Sequence, residues 1–234
     1  MIAVTFALPA ESSAFLRCLH NKTRSDNNGV KVIRGEIDDR TVEMLHTGVG
    51  EKVCRQRMAS FLLDREFNCL ISAGFAGALD DRSQVGDLLL AKNFATIELS
   101  ELRSFLSSLP IHIADLLTMP SMIESREERN EIAQTTGAVA VDMETEFIAR
   151  ACAEHGISLI SLRVITDTPR KPFPAPANVL FDMERQRTKT INLMVHLVKN
   201  PGAVPRLIAF AKRIAQARKT LANAIVDVVR IVEL

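Results

Sequence analysis

The chain has 234 residues, with 29 Lys and Arg against 28 Asp and Glu, a formal net charge of +1 and 47% hydrophobic residues. That balance excludes a protein that coats nucleic acid through bulk positive charge, and equally an acidic tail protein. The longest uncharged run, Phe67–Leu79, is shorter than the roughly 18–20 apolar residues of a membrane-spanning helix, and the opening Met1–Ala7 lacks a basic region, so neither a span nor a signal peptide is expected.

Ile2–Phe6 is a short continuous apolar run, the pattern of a strand buried on both faces. Pro9 suits the first turn of a helix reaching about Leu19. Val30–Ile37 and Arg40–His46 flank Asp38-Asp39 as a hairpin. Thr47-Gly48-Val49-Gly50 makes a tight loop into a helix from about Glu51 to Asp64. Cys69–Ala73 is a second buried strand ending in Gly74-Phe75-Ala76-Gly77, and Leu88–Ala91 continues the sheet after a turn at Val85-Gly86-Asp87. The stretch Thr96–Pro120 yields no firm element. Ser125 and Glu128 form a capping box for a helix to about Thr135. Val139–Val141 reads as a strand, and Glu144–His155 as a helix stopped by Gly156. Leu159–Thr166 is a long apolar strand ending at Asp167, followed by a stiff loop with Pro169, Pro172, Pro174 and Pro176. Two helices close the chain, broken at Asn200-Pro201-Gly202.

Strands alternating with helices predict an α/β fold, a single-domain three-layer α/β/α arrangement around a mixed, largely parallel sheet. Residues 1–200 are assigned to that domain and 201–234 to a basic amphipathic helical extension. The cysteines Cys18, Cys54, Cys69 and Cys152 are widely spaced with no C-x-x-C pair, so they read as reduced thiols of a cytoplasmic protein rather than a metal site. Trp and Tyr are absent, which leaves Phe alone for stacking on nucleic acid bases, and no nucleic-acid partner is expected.

Ligands of open α/β sheets bind outside the carboxyl ends of the strands, and four such ends carry polar or glycine-rich sequence. Glu11 follows strand one; it complements the helix dipole or takes part in chemistry. Gly48-Val49-Gly50 fails the G-x-G-x-x-G fingerprint but lets backbone N–H groups approach a ligand, if it is not simply a tight turn. Gly74-Phe75-Ala76-Gly77 clears room for a flat ligand or packs a loop closely on the sheet. Asp142-Met143-Glu144 and Thr166-Asp167 put carboxylates directly after apolar runs, as loop caps or as acids in a dry pocket.

Taken in order, Ala-Leu-Pro-Ala-Glu11, Thr-Gly48-Val-Gly50, Ser-Ala-Gly74-Phe-Ala-Gly77-Ala-Leu, Val85-Gly86-Asp87, Ala-Val-Asp142-Met143-Glu144 and Arg163-Val-Ile-Thr166-Asp167 resemble the purine nucleoside phosphorylase and methylthioadenosine/S-adenosylhomocysteine nucleosidase superfamily. The resemblance runs from Ile2 to Asp167. The closing segment from Asn200 through Pro205 and its basic helix is similar to the branch of hopanoid-associated phosphorylases, thought to act on adenosylhopane.

The resemblance implies cleavage of the C–N glycosidic bond of a purine nucleoside, adenine foremost, through an oxocarbenium-like state, with no cofactor and no metal. By position it makes Asp167 the general acid at purine N7, oriented by Thr166. It makes Glu144 the acceptor of the ribose hydroxyls, with Met143 packed on the sugar and Asp142 beside them. Glu11 is the glutamate that activates water. Gly48, Gly50, Phe75, Ala76 and Gly77 would line the nucleoside, and Ile123 the base. Phosphorylases of this family surround phosphate with arginines, whereas Leu8–Glu11 and Ala73–Gly77 contain none. Water is therefore favoured as nucleophile over phosphate, although Arg55 or Arg57 would be near enough to supply a cation. Phosphorolysis and a catalytically inactive, membrane-associated binding protein stay as alternatives. A homodimer is the expected assembly. In the tail, Arg206, Lys212, Arg213, Arg218 and Lys219 accompany an apolar stripe, which would either lie on an anionic bilayer or pack on protein.

Overall fold

The computed structural model describes residues 1–106, 109–173, 181–182, 187–188 and 202–232. The chain opens with β1 (Ile2–Phe6), buried throughout, and two single helical turns, α1 (Pro9–Ser12) and α2 (Phe15–Cys18). A meander follows: β2 (His20–Asn27), β3 (Val30–Ile37) and β4 (Arg40–His46). Then come α3 (Glu51–Leu62), β5 (Cys69–Ala78), β6 (Leu88–Ala91) and α4 (Leu99–Phe105). β7 (Ile111–Ala114), β8 (Leu116–Thr118), α5 (Arg126–Thr136), β9 (Ala140–Asp142), α6 (Thr145–Glu154) and β10 (Ser158–Asp167) complete the sheet and its cover. A two-strand ribbon, β11 (Phe181–Asp182) with β12 (Arg187–Thr188), and the long α7 (Ala203–Ile231) end the chain.

The main path of the sheet runs β2-β3-β4-β1-β5-β10-β6-β7. Its centre, β4-β1-β5-β10, is parallel, while β2, β3 and β6 join antiparallel. Side chains of β1 alternate between faces. Ile2, Val4 and Phe6 enter a core with Phe15, Ile71, Ile160 and the second half of α7. Ala3 belongs to the opposite core, where Met58, Phe61, Ile148 and Cys152 of α3 and α6 cover the sheet. The result is the three-layer α/β/α domain that the alternation of elements predicts. Cys54, Cys69 and Cys152 are free and buried, and burial pushes each thiol up to about 12, out of reach of thiolate chemistry.

Several elements differ from expectation for local reasons. The helix expected over Pro9–Leu19 is two turns, because Ser12 and Ser13 hydroxyls bond the carbonyls of Pro9 and Ala10 and compete with the helical ladder. β2 is polar and mostly exposed, as an edge strand can be; it joins β3 through Asn28-Gly29, both at positive φ, as a two-residue hairpin turn requires. β5 does not stop at Ala73 but runs through the glycine-rich segment to Ala78. Thr96–Pro120 contributes α4, β7 and β8. Pro174, Pro176 and the first of the two closing helices lie outside the described residues.

Within α7, Ala217, Leu221, Ile225, Val228 and Val229 are buried in the same core as β1. The first half of the helix instead exposes Val204 and Ile208. No helix among the described residues is long and apolar enough to cross a membrane.

Candidate active site

The site is created by a change of partner along β5. One edge of β5 is occupied by β10 from Cys69 to Gly77. The other edge pairs with β1 over Cys69–Ser72 and only resumes, with β9, at Gly77 and Ala78. Residues 73–76 therefore face a fork in the sheet, the kind of crevice where α/β folds bind ligands. Glu11 fills it from α1. Its Oε1 accepts the Phe75 N–H at 3.0 Å, on the stretch of this edge of β5 that no strand among the described residues pairs with, and its Oε2 accepts the Leu8 N–H at 2.9 Å. A Cβ on Gly74 would lie 3.2 Å from Glu11 Oε1, so glycine there makes room for that carboxylate. Burial raises the Glu11 pKa above its usual range, and the two backbone donors hold the rise back.

Glu144 meets the same fork at the start of α6, accepting the Gly50 N–H at 3.0 Å. Gly48 and Gly50 both have positive φ, at 77° and 87°, which turns the chain at the end of β4 and aims that N–H. Burial, with Asp142 and Glu11 nearby, pushes Glu144 up to about 8. Glu11, Glu144, Thr47, Phe75 and Arg163 enclose a cavity of about 10 Å³, the room one water molecule needs.

Asp142 takes a different place. It accepts Thr118 Oγ1 at 2.8 Å, Thr145 N–H at 3.1 Å, Thr145 Oγ1, and Arg163 Nε and Nη2 at 3.1 and 3.0 Å. Arg163, buried inside β10, also donates to the Ser72 carbonyl at 2.6 Å and its hydroxyl at 2.8 Å. Asp142 is thus saturated by protein and joins α6 to the sheet rather than opening into the cavity. Arg163→Met should unfold the protein at markedly lower denaturant, about 3–5 kcal/mol less stable, because Asp142 would be left buried and unpaired. A denaturant midpoint within error of wild type would refute the network's role.

The second carboxylate centre lies where β5 meets β10. Asp167 is buried, with Thr166 Oγ1 3.0 Å from its Oδ1 and 3.3 Å from the Ala76 carbonyl. Gly77 again makes room, since a Cβ there would lie 3.1 Å from Asp167 Oδ2. That Oδ2 is ion-paired with Arg129 of α5. Burial raises the Asp167 pKa, while Arg129 and then Thr166 pull it down. Ile123 is buried and its carbonyl is held by Arg129 at 2.9–3.1 Å. Met143 is half-buried between Asp142 and Glu144.

The fold therefore brings Glu11, Phe75, Glu144 and Gly50 to one centre, and Asp167, Thr166, Ala76, Gly77 and the Ile123 segment to another. Arg55 pairs with Glu51 and lies over the Phe147 ring, and Arg57 donates to the His46 carbonyl at 3.1 Å, so both are engaged away from the cavity. Sequence reasoning missed Arg163 and Arg129 as site residues. A lone charge inside the apolar run Leu159–Thr166 marks Arg163; nothing local marks Arg129.

The linkage of Glu144 has a measurable sign. The folded chain keeps its proton to about pH 8, whereas an ordinary glutamate releases it near 4.5. Between those values the folded state binds more protons than the unfolded one, so stability falls as pH rises through this window. Glu144→Gln should flatten that fall, raising the melting temperature relative to wild type more at pH 8 than at pH 5. Equal gaps at the two pH values would count against a protonated Glu144.

A family model described as "Phosphorylase superfamily" matches residues 1–105 and 98–199. The 5'-methylthioadenosine/S-adenosylhomocysteine nucleosidase of Staphylococcus carnosus is 26% identical over 185 residues, 65% of this chain and 78% of that protein. Its counterpart from Staphylococcus epidermidis is 24% identical over 71% of this chain and 86% of its own. Among solved structures, the Streptococcus pneumoniae 5'-methylthioadenosine/S-adenosylhomocysteine nucleosidase with a transition-state inhibitor superposes with a TM-score of 0.71 at 17% identity, covering 99% of each chain. The futalosine hydrolase of Helicobacter pylori does so with 0.71 at 14% identity, covering 99% of this chain and 97% of its own. These two share the fold.

Proposed function

The chain belongs to the phosphorylase superfamily, and from that membership we propose that it hydrolyses the N-glycosidic bond of a purine nucleoside, adenosine-like in its base, to free base and free sugar. The observation that carries the choice of water is the cavity of about 10 Å³ enclosed by Glu11, Glu144 and Arg163. It has room for one water and is too small for a phosphate. The two staphylococcal relatives are nucleosidases, which agrees.

In this reading Asp167 delivers a proton to the purine N7 as the C1′–N bond lengthens, so the base departs neutral. Glu144 accepts hydrogen bonds from the ribose hydroxyls, its other oxygen being steadied by Gly50 N–H. Water in the fork attacks C1′, and Glu11 takes its proton. One water is consumed; the proton given up at Asp167 is balanced by the one gained at Glu11, and solvent exchange resets both. Two carboxylates in different surroundings serve the two opposite proton transfers. Incubation with adenine nucleosides, with and without phosphate, tests the proposal. Free base and free sugar should form equally in both; strict phosphate dependence with ribose 1-phosphate as product would overturn hydrolysis.

We also propose that the first half of α7 rests on an anionic bilayer. Val204 and Ile208 are exposed beside Arg206 and Lys212, with no acidic residue before Asp227. Deleting the helix cannot test this, because Leu221, Ile225 and Val228 belong to the core. Vesicle sedimentation with wild type and Ile208→Glu can. Wild type should pellet with anionic vesicles at low salt and release at ~1 M salt, where the Debye length is ~3 Å; wild type left in the supernatant at low salt ends the idea.

A further inference from the structure

The guanidinium of Arg129 is buried at the junction of three chain segments. Its Nε and Nη2 donate to the Ile123 carbonyl at 3.1 and 2.9 Å, its Nη1 to the Ala78 carbonyl at 2.8 Å, and its Nη2 also to Asp167 Oδ2. Ala78 ends β5, Ile123 lies on the segment ahead of α5, and Asp167 ends β10. Asp167 is the acid of the proposed function, Ile123 is the residue expected at the base, and Ala78 directly follows Gly77, expected to line the nucleoside. Arg129 itself is delivered from the first turns of α5, whose Ser125 cap accepts the Glu128 N–H at 3.0 Å and fixes where that helix starts. A planar fork with several donors can hold carbonyls of two segments and a carboxylate at once; an ammonium cannot do so with the same geometry.

Resting on the hydrolytic reading, we infer that Arg129 is the positioning residue of the base subsite, clamping Asp167, the Ile123 segment and the end of β5 around the leaving purine. Its charge has a second consequence. Arginine stays protonated at any working pH, so a paired Asp167 holds its own proton less tightly and gives it up more readily. Among the described residues, Arg129 is the charged group that meets Asp167 from α5; Thr166 on β10 supplies a hydroxyl, and Gly77 on β5 supplies none. Taking the cation away should make Asp167 keep its proton to higher pH, by one unit or more, the usual reach of an opposite charge at contact.

The test uses the full chain with Arg129→Met and Arg129→Lys, read in two ways. Carbon-13 NMR of labelled aspartate in the ligand-free protein gives the titration midpoint of Asp167, identified by its loss in Asp167→Asn. The pH profile of base release from an adenine nucleoside gives the alkaline limb. Arg129→Met should raise the midpoint and carry the limb upward with it, while the maximal rate falls ~10-fold or more from misplacement of the acid. Arg129→Lys should leave the limb within about half a unit of wild type, yet lose a similar share of kcat because the fork is gone. A purely structural arginine would lower the melting temperature without moving either pH readout. A folded Met variant with unchanged midpoint and limb overturns the inference. If that variant does not fold, the Lys variant decides alone, and wild-type kcat in it removes the clamp. If wild type releases no base from any nucleoside, the hydrolytic reading fails, while the midpoint in the empty protein still judges the pairing of Arg129 with Asp167.

Discussion

Replacing Asp167 with Asn is expected to slow base release at least ~100-fold, the low end of what a positioned general acid supplies. The amide nearly preserves the shape of the side chain against Gly77, so the loss would be chemical: no proton is available to leave with the purine. Stability should fall as well. Asn replaces the carboxylate that pairs with the buried Arg129, and removing one partner of a buried pair costs about 3–5 kcal/mol. The amide oxygen can still accept from Arg129, which places the expected loss at the lower end. Turnover must therefore be referred to folded protein, measured by calorimetry on the same sample. A folded Asn variant that cleaves nucleosides at the wild-type rate would show that Asp167 is not the acid.

Replacing Glu11 with Gln should stop hydrolysis almost completely, by ~100-fold to 10,000-fold if the carboxylate is the base that takes the water's proton. Nucleoside binding should survive, because Glu144 and Gly50 remain. The substitution also disturbs the fork. Glu11 accepts from both Phe75 and Leu8, and an amide can accept from one while turning a donor toward the other. One backbone N–H is left unpaired, at about 1–3 kcal/mol. A binding isotherm beside a turnover measurement separates these effects. Retained turnover with weakened binding would make Glu11 a substrate contact and not the base.

How much of this was readable beforehand depends on whether the cause is local. Strands such as Ile2–Phe6 and Leu159–Thr166 are largely apolar runs that can be found from the chain alone, and the second ends directly on the carboxylate Asp167. Asn28-Gly29 is an equally local signal for the β2–β3 turn, and the polar β2 hid it, since an edge strand needs no apolar pattern. Gly74 and Gly77 can be read as openings but not as openings for whom, since Glu11 arrives from 64 residues away in sequence to bond Phe75. The same distance problem hides the two arginines. Arg129 finds Asp167 38 positions away, and Arg163 finds Asp142 21 positions away. No spacing rule connects such pairs. Asp142 shows the cost: it sits in the right motif beside Glu144, yet its partners are Arg163, Thr118 and Thr145.

The bond from Phe75 N–H to Glu11 also makes the protein its own indicator. A backbone amide hydrogen donating to a carboxylate resonates differently once that carboxylate is protonated, because the acceptor loses its charge. Phe75 is a single, nameable peak in a nitrogen–proton correlation spectrum, and no dye or substrate is needed to follow it. Its shift against pH would trace the proton on Glu11 directly, in the resting protein and again with an inhibitor in place. The proton transfer that turnover experiments infer could thus be watched from the sheet itself.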